Sequence, residues 1–286
     1  MGPTANLMPD GTRLHLQHGP IDLIIGAEGE RQAAFEAATR RFATVLEELV
    51  AELPSLRGPM SASTPAPQGA IATRMHHAAV PFCETAYLTR MAAVAGSVAD
   101  EVLHAMKDAA DMSRAYVNNG GDIALHLAQG GRFTTAMHSH EGRELGRITI
   151  TAEDPIRGIA TSGRHGRSLS LGIADSVTVL AATAAQADVA ATLIGNAVDL
   201  PGHPAIERRS ANAITDDSDL GDRAVVIGCA PLSPADCQTA LRSGKTRALA
   251  FQAKNMICAA GMFLQGQVMT TNEQMLTPQT PERLYG

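Results

Sequence analysis

Asp188 and Thr192 stand four positions apart, so any helix that carries both presents a carboxylate and a hydroxyl on one face. Hard oxygen donors of this kind suit magnesium, an ion that keeps several waters and bridges phosphate oxygens. The same spacing also arises when an early aspartate answers the helix dipole and a threonine bonds back to its own helix. Two glycine turns lie upstream, Gly120-Gly121-Asp122 and Ser162-Gly163. Glycine serves any turn that needs positive φ, and a missing side chain also lets backbone amides approach a phosphate or an aromatic ring. Asp122 either braces its turn or touches a ligand. Arg164-His165-Gly166-Arg167 follows, offering two guanidinium forks and an imidazole that would complement a pyrophosphate or a carboxylate, or else stand as solvated loop charge.

Other groups offer less. His138 and His140 would face one side of a strand and could ligate a transition metal, yet no third ligand is evident. The acidic run 216–222 lacks EF-hand spacing and reads as a turn whose aspartates cap backbone amides. Cys83, Cys229, Cys237 and Cys258 form no C-x-x-C pair, which favours buried, reduced thiols, with Cys83 beside Glu84 the one to check for reactivity. No P-loop, Rossmann fingerprint, G-x-S-x-G elbow or H-E-x-x-H stands in the chain.

These residues need elements to hold them. The runs 13–18 and 21–25 read as strands about a Gly19-Pro20 turn, and 28–53 as one amphipathic helix closed by Pro54. The proline-rich stretch 54–69 reads as loop, 88–110 as a helix, and 114–127 as two strands about the Gly120-Gly121 turn. Further strand-like runs at 132–138, 146–150, 158–161, 168–171 and 176–181 suggest antiparallel meanders. Thr183 through Gln186 forms a capping box that opens a helix to about residue 198, and Ser233-Pro234 opens another. Without a βαβ period the expectation is α+β, with mainly antiparallel sheets flanked by helices, as one domain over 1–286.

The 286 residues and a 45% hydrophobic content suffice for a sizeable core. A net charge of -6 and the absence of Trp give no general footprint for nucleic acid. No signal segment or bilayer-length apolar run is read, so a cytoplasmic protein with a small-molecule ligand is expected, without nucleic-acid or membrane partners; homo-oligomerisation stays open.

Four segments, in order over 91–198, resemble the ApbE flavin-transferase superfamily, whose characterised members split FAD and attach FMN to a protein threonine using magnesium. Val94-Ala95-Gly96 through Asp100 is similar to the family's Ala-Lys-Gly-x-x-x-Asp helix start, and Gly120-Gly121-Asp122-Ile123 to its Gly-Gly-Asp-Ile turn. Thr161-Ser162-Gly163 resembles its flavin-side turn, and Asp188 through Thr192 its Asp-Ala-x-x-Thr metal motif. The resemblance implies a T-fold-like architecture and a flavin (FAD or FMN) beside Gly120, Gly121, Asp122, Thr161, Ser162, Gly163, Arg164 and His165. It further implies magnesium at Asp188, Thr192 and Val94; no catalytic residue is assigned. Two departures bear on activity. Ala95 replaces the motif's lysine, and the Arg-rich 164–172 replaces a His-x-x-Asp/Asn-Pro-x-x-Gly segment. The details are most similar to a functionally uncharacterised branch, for which weak or absent FMN transfer, binding without turnover, or a different reaction on the same fold is expected.

Overall fold

A computed structural model of the chain describes residues 2–139, 141–142 and 144–272. In chain order the strands and helices are β1 (Thr4–Leu7), β2 (Arg13–His18), β3 (Ile21–Gly29), α1 (Arg31–Phe42), α2 (Val45–Ala51), α3 (Leu53–Arg57) and α4 (Ala70–Ala79). After a 3-10 turn at Arg90–Ala93 come α5 (Val94–Ala109), β4 (Met112–Asn119), β5 (Asp122–Leu127), β6 (Arg132–His138), β7 (Glu144–Thr151), β8 (Gly158–Ser162) and β9 (Ser176–Ala181). The chain continues through α6 (Ala184–Ala197), β10 (Ile206–Ser210), β11 (Ala224–Cys229), α7 (Pro234–Ala253), β12 (Ala259–Leu264) and β13 (Gln267–Thr270).

Nine strands make one sheet in the order β1-β2-β3-β4-β5-β8-β9-β12-β13, and every neighbouring pair is antiparallel. The hairpins β6-β7 and β10-β11 stand outside it. Side chains alternate across the sheet as the period of two requires. Leu23, Ile25, Val117, Ala124, Ala160 and Val179 face the helices and join Phe42, Val102, Met106 and Ile194 in the larger core. Ile123, Leu125, Ile159 and Leu180 face the other way and are covered by Met137, Ile148 and Ile150 of the β6-β7 hairpin. The α+β expectation with mainly antiparallel sheet therefore holds.

Several local expectations do not, the helix read over 88–110 among them, since α5 begins only at Val94, after the 3-10 turn. The single helix over 28–53 is three, α1, α2 and α3, and β3 runs on to Gly29. The first break centres on Arg41, which donates to Thr44 Oγ1 at 3.0 Å and to both Glu48 oxygens at 2.8 and 2.7 Å, tying the bend between α1 and α2. Pro54 opens α3 rather than closing the run, because proline fits the first helical turn, where its missing N–H costs nothing. Loop structure consequently starts at Gly58, not at residue 54. Likewise 168–171 is no strand: the Leu171 amide donates to Asn196 Oδ1 at 3.0 Å and Ser170 folds back on Gly172, so side chains take the bonds a ladder would need.

Candidate ligand and metal site

Helices α5 and α6 meet start to start, and each gives a carboxylate to the other's first turn. Asp188, in α6, accepts from the Gly96 amide at 3.0 Å. Asp100, in α5, accepts from the Ala184 and Ala185 amides through separate oxygens at 3.1 and 2.9 Å. The exchange satisfies amides that a helix start leaves unpaired and sets acceptor oxygens at both positive dipole ends. It requires a close crossing. A Cβ on Gly96 would collide with the Ala184 carbonyl and fall 2.7 Å from the Ala185 nitrogen, and one on Gly158 would collide with the Thr183 carbonyl from the β8 side. Thr183 completes the cap by accepting from the Gln186 amide at 3.2 Å, as the capping-box spacing predicts.

The β4-β5 turn lies against the start of α5. Gly120 and Gly121 take φ of 64° and 112°, values a side chain rarely adopts. Asn118 Oδ1 accepts from the Gly121 amide at 2.8 Å, and Asn119 Nδ2 donates to the Ala95 carbonyl at 3.1 Å. Asp122 leaves the turn buried and accepts from the Thr161 amide at 3.2 Å, so a carboxylate joins the two glycine-bearing segments. Ser162 points toward Gly195 of α6, while Gly163 packs on the Asp175 backbone.

Burial pushes the Asp122 carboxyl up to about 7, against the pull of the Thr161 amide and of Arg167. Asp188 is raised as well, first by burial and then by the charge of Asp122, with the Gly96 and Ala95 amides opposing. Asp188 nevertheless keeps partial exposure, while Asp122 is buried. Two crowded carboxylates of this kind favour a shared proton or a cation.

The basic run divides. Arg164 donates to Asp175 Oδ1 through Nε at 3.0 Å and Nη2 at 2.7 Å, and His165 Nε2 lies 3.2 Å from the same oxygen. Arg167 instead lies over Gly120, donates to the Pro20 carbonyl at 3.0 Å, and acts on Asp122 through its charge. The sequence offers both arginines alike, and spacing alone does not separate these two behaviours. Asp100 and Asn119 also gain their roles only from the crossing of helix and turn.

Thr192 lies one turn beyond Asp188, partly buried, and Val94 opens α5. Among the described residues no three His, Cys, Asp or Glu side chains gather to hold a metal. The donors read from sequence, Asp188 with Thr192 and Val94, would offer a cation oxygen atoms, which suit magnesium better than a softer metal. His138 lies exposed on β6, and His140 lies outside the described residues. Burial pushes the Cys83 thiol up, which removes the basis for reactivity. The acidic loop is anchored: Tyr87 Oη donates to the Asp219 carbonyl at 2.6 Å, Thr89 Oγ1 to Asp219 Oδ2, and Arg223 stacks 3.1 Å over the Tyr87 ring. Asp219 and Asp222 thus accept from side-chain donors where backbone capping was expected.

Among the described residues no helix is long and apolar enough to cross a membrane. The chain is 31% identical over 212 residues to a UPF0280 protein of Methanopyrus kandleri, covering 72% of this chain and 83% of that one. It is also 31% identical over 159 residues to a UPF0280 protein of Archaeoglobus fulgidus, covering 56% of this chain and 64% of the relative, slightly under two thirds of its length. The apo structure of the flavinyl transferase ApbE of Pseudomonas stutzeri aligns over 94% of this chain and 93% of its own, with 12% identity and a TM-score of 0.43. The family model described as AbpE bacteria matches residues 5–270, and the chain belongs to that family.

Proposed function

We propose that the site around Asp122 and Asp188 binds a flavin or a related phosphate-bearing small molecule in the cytoplasm. In this reading Asp188, Thr192 and the Val94 carbonyl hold magnesium, and FMN transfer from FAD is slow or absent. The observation that carries it is the Asp122–Asp188 pair, two crowded carboxylates set between a glycine turn and a helix start with solvent access to one of them. Such a pair is costly in an apolar core and useful beside a cation. When bound, magnesium would supply Lewis-acid stabilisation of phosphoryl oxygens.

The chain's own groups then have distinct work. Gly120 and Gly121 bring no Cβ to the turn, so its backbone can approach a ligand closely, while Asn118 Oδ1 already holds the Gly121 amide. Arg167 sets a guanidinium over the same turn, where it complements a phosphate. Ala95 brings no charge, and Arg164 and His165 are engaged by Asp175. Losing one preorganised charge from a phosphoryl-transfer site costs roughly 3 kcal/mol, about a hundredfold in rate. Binding without efficient turnover follows from that balance. Four unpaired cysteines agree with a reducing compartment.

The test is direct. Purified protein is examined for bound flavin by absorbance and mass spectrometry, then incubated with FAD and magnesium while AMP and FMN are quantified. Flavin binding weakened by Asp122→Ala, with little AMP, is the expected result. Magnesium-dependent AMP release at an ordinary enzymatic turnover, abolished by Asp188→Ala, would overturn the slow-transfer part. Absence of any flavin binding would overturn the ligand class.

A further inference from the structure

On the other side of the α5–α6 crossing two open cavities adjoin. One, of about 430 Å³, is lined by Thr73, Arg74, His77, Thr183 and Gln186 among others. The second, of about 260 Å³, is lined by Arg74, His104, Lys107, His126 and Arg157 among others, and the two share Arg74, Asp100 and Thr183. Six basic side chains from α4, α5, β5 and the segment before β8 thus face one continuous groove, on a chain whose net charge is -6. Among the described residues the lining holds one carboxylate, Asp100, whose oxygens are taken by the Ala184 and Ala185 amides.

The charge is also held in place. Arg157 donates to the carbonyls of Asp154, Ile156 and Ala152 at 2.6 to 2.7 Å, a cage of neutral acceptors that orients the guanidinium without cancelling it. Arg74, at the junction of the two cavities, gives one nitrogen to Glu101 at 2.9 Å, while its Nε is buried with no partner. Lys107 stands exposed in the last turn of α5, and His104 pairs with Asp108 at 3.4 Å. The start of α6 contributes little here, because Asp100 and Thr183 already occupy its amides. The attraction comes from converging side chains within a concavity, where field lines concentrate.

We propose that this groove is a second binding site, for a small organic polyanion that carries phosphate or carboxylate groups at both ends and spans Arg74. None of Gly120, Gly121, Asp122, Ser162, Gly163 or Asp188 lines it, so it is separate from the site proposed above and does not depend on the flavin reading.

Calorimetric titration of the full chain, freed of metal with EDTA, with inorganic pyrophosphate and separately with citrate tests this. Saturable binding of either probe is expected, weakening with salt. Lys107→Glu and His77→Glu, both exposed positions, each lower the affinity about tenfold, since each reverses or adds charge at the groove. Asp122→Asn leaves the affinity as in the parent, which distinguishes failure of this groove from failure of the Asp122–Asp188 site. Preference for pyrophosphate identifies a phosphorylated ligand, and preference for citrate a polycarboxylate. No saturable binding of either probe at millimolar concentration, binding indifferent to Lys107→Glu, or binding abolished by Asp122→Asn overturns the proposal.

Discussion

Asp188 accepts the Gly96 amide at 3.0 Å across 92 positions of sequence, and through that one bond a candidate metal ligand doubles as the cap of a core helix. Asp100 returns the service to α6 with two bonds. The stability of the crossing and the geometry of the candidate site are therefore one property.

Asp100→Ala removes both acceptors from the start of α6. An N-terminal cap is worth about 1–2 kcal/mol, and these amides lie in a crowded crossing where water replaces the acceptor poorly. Equilibrium urea unfolding is expected to show a loss of about 2 kcal/mol with an unchanged m-value. A loss within error would mean that solvent in the groove takes over the capping.

Gly96→Ala is a sharper probe. The added methyl meets the backbone of Ala184 and Ala185, which cannot step aside as a flexible side chain would. Overpacking of backbone against backbone costs about 3 kcal/mol or more, so this variant is expected to unfold well below the parent temperature. Gly202→Ala, where nothing lies within 4 Å of the new Cβ, serves as the comparison and is expected to cost about 1 kcal/mol through its positive φ alone.

Much of this region was legible before any coordinates, and the illegible remainder has a common cause. Thr183 and Gln186 announce the α6 cap by their spacing, and Gly120-Gly121 announces the β4-β5 turn, because both signals are local. Arg41, which breaks the first long helix by gripping Thr44 and Glu48, sits in an unbroken helical pattern, so the pattern alone reads straight through it. Arg164 and Arg167 are alike in composition and three positions apart, yet Asp175 takes one and the Gly120 turn the other. Long-range partners decide such roles.

His76 sets an acid limb on stability. Burial and, after it, the charge of Arg90 hold this imidazole below its ordinary 6.5, and its Nδ1 lies 3.2 Å from Arg90 Nε, where it accepts while neutral. The unfolded chain binds the proton more readily, so the contribution is complete above about pH 6.5 and is lost as pH falls through the lower folded value. Urea midpoints measured between pH 5 and 8 should fall toward the acid side, and His76→Gln should flatten that fall. Parallel pH profiles for parent and variant would assign the acid limb to other groups.

Magnesium is expected to stabilise the folded chain through Asp188. A ligand that binds only the native state adds about 2.7 kcal/mol at a hundredfold excess over its dissociation constant, which raises the melting temperature by a few degrees in a protein of this size. Asp188→Asn keeps an oxygen toward the Gly96 amide but loses the charge that holds a hard cation, so its melting temperature should no longer respond to magnesium. Thr192→Val preserves shape and removes one oxygen donor, and a reduced response is expected. Asp100→Asn, whose oxygens face the amides of α6, should retain the full magnesium response whatever its own stability. A response that survives Asp188→Asn intact would place the cation elsewhere and leave the crossed carboxylates as caps alone.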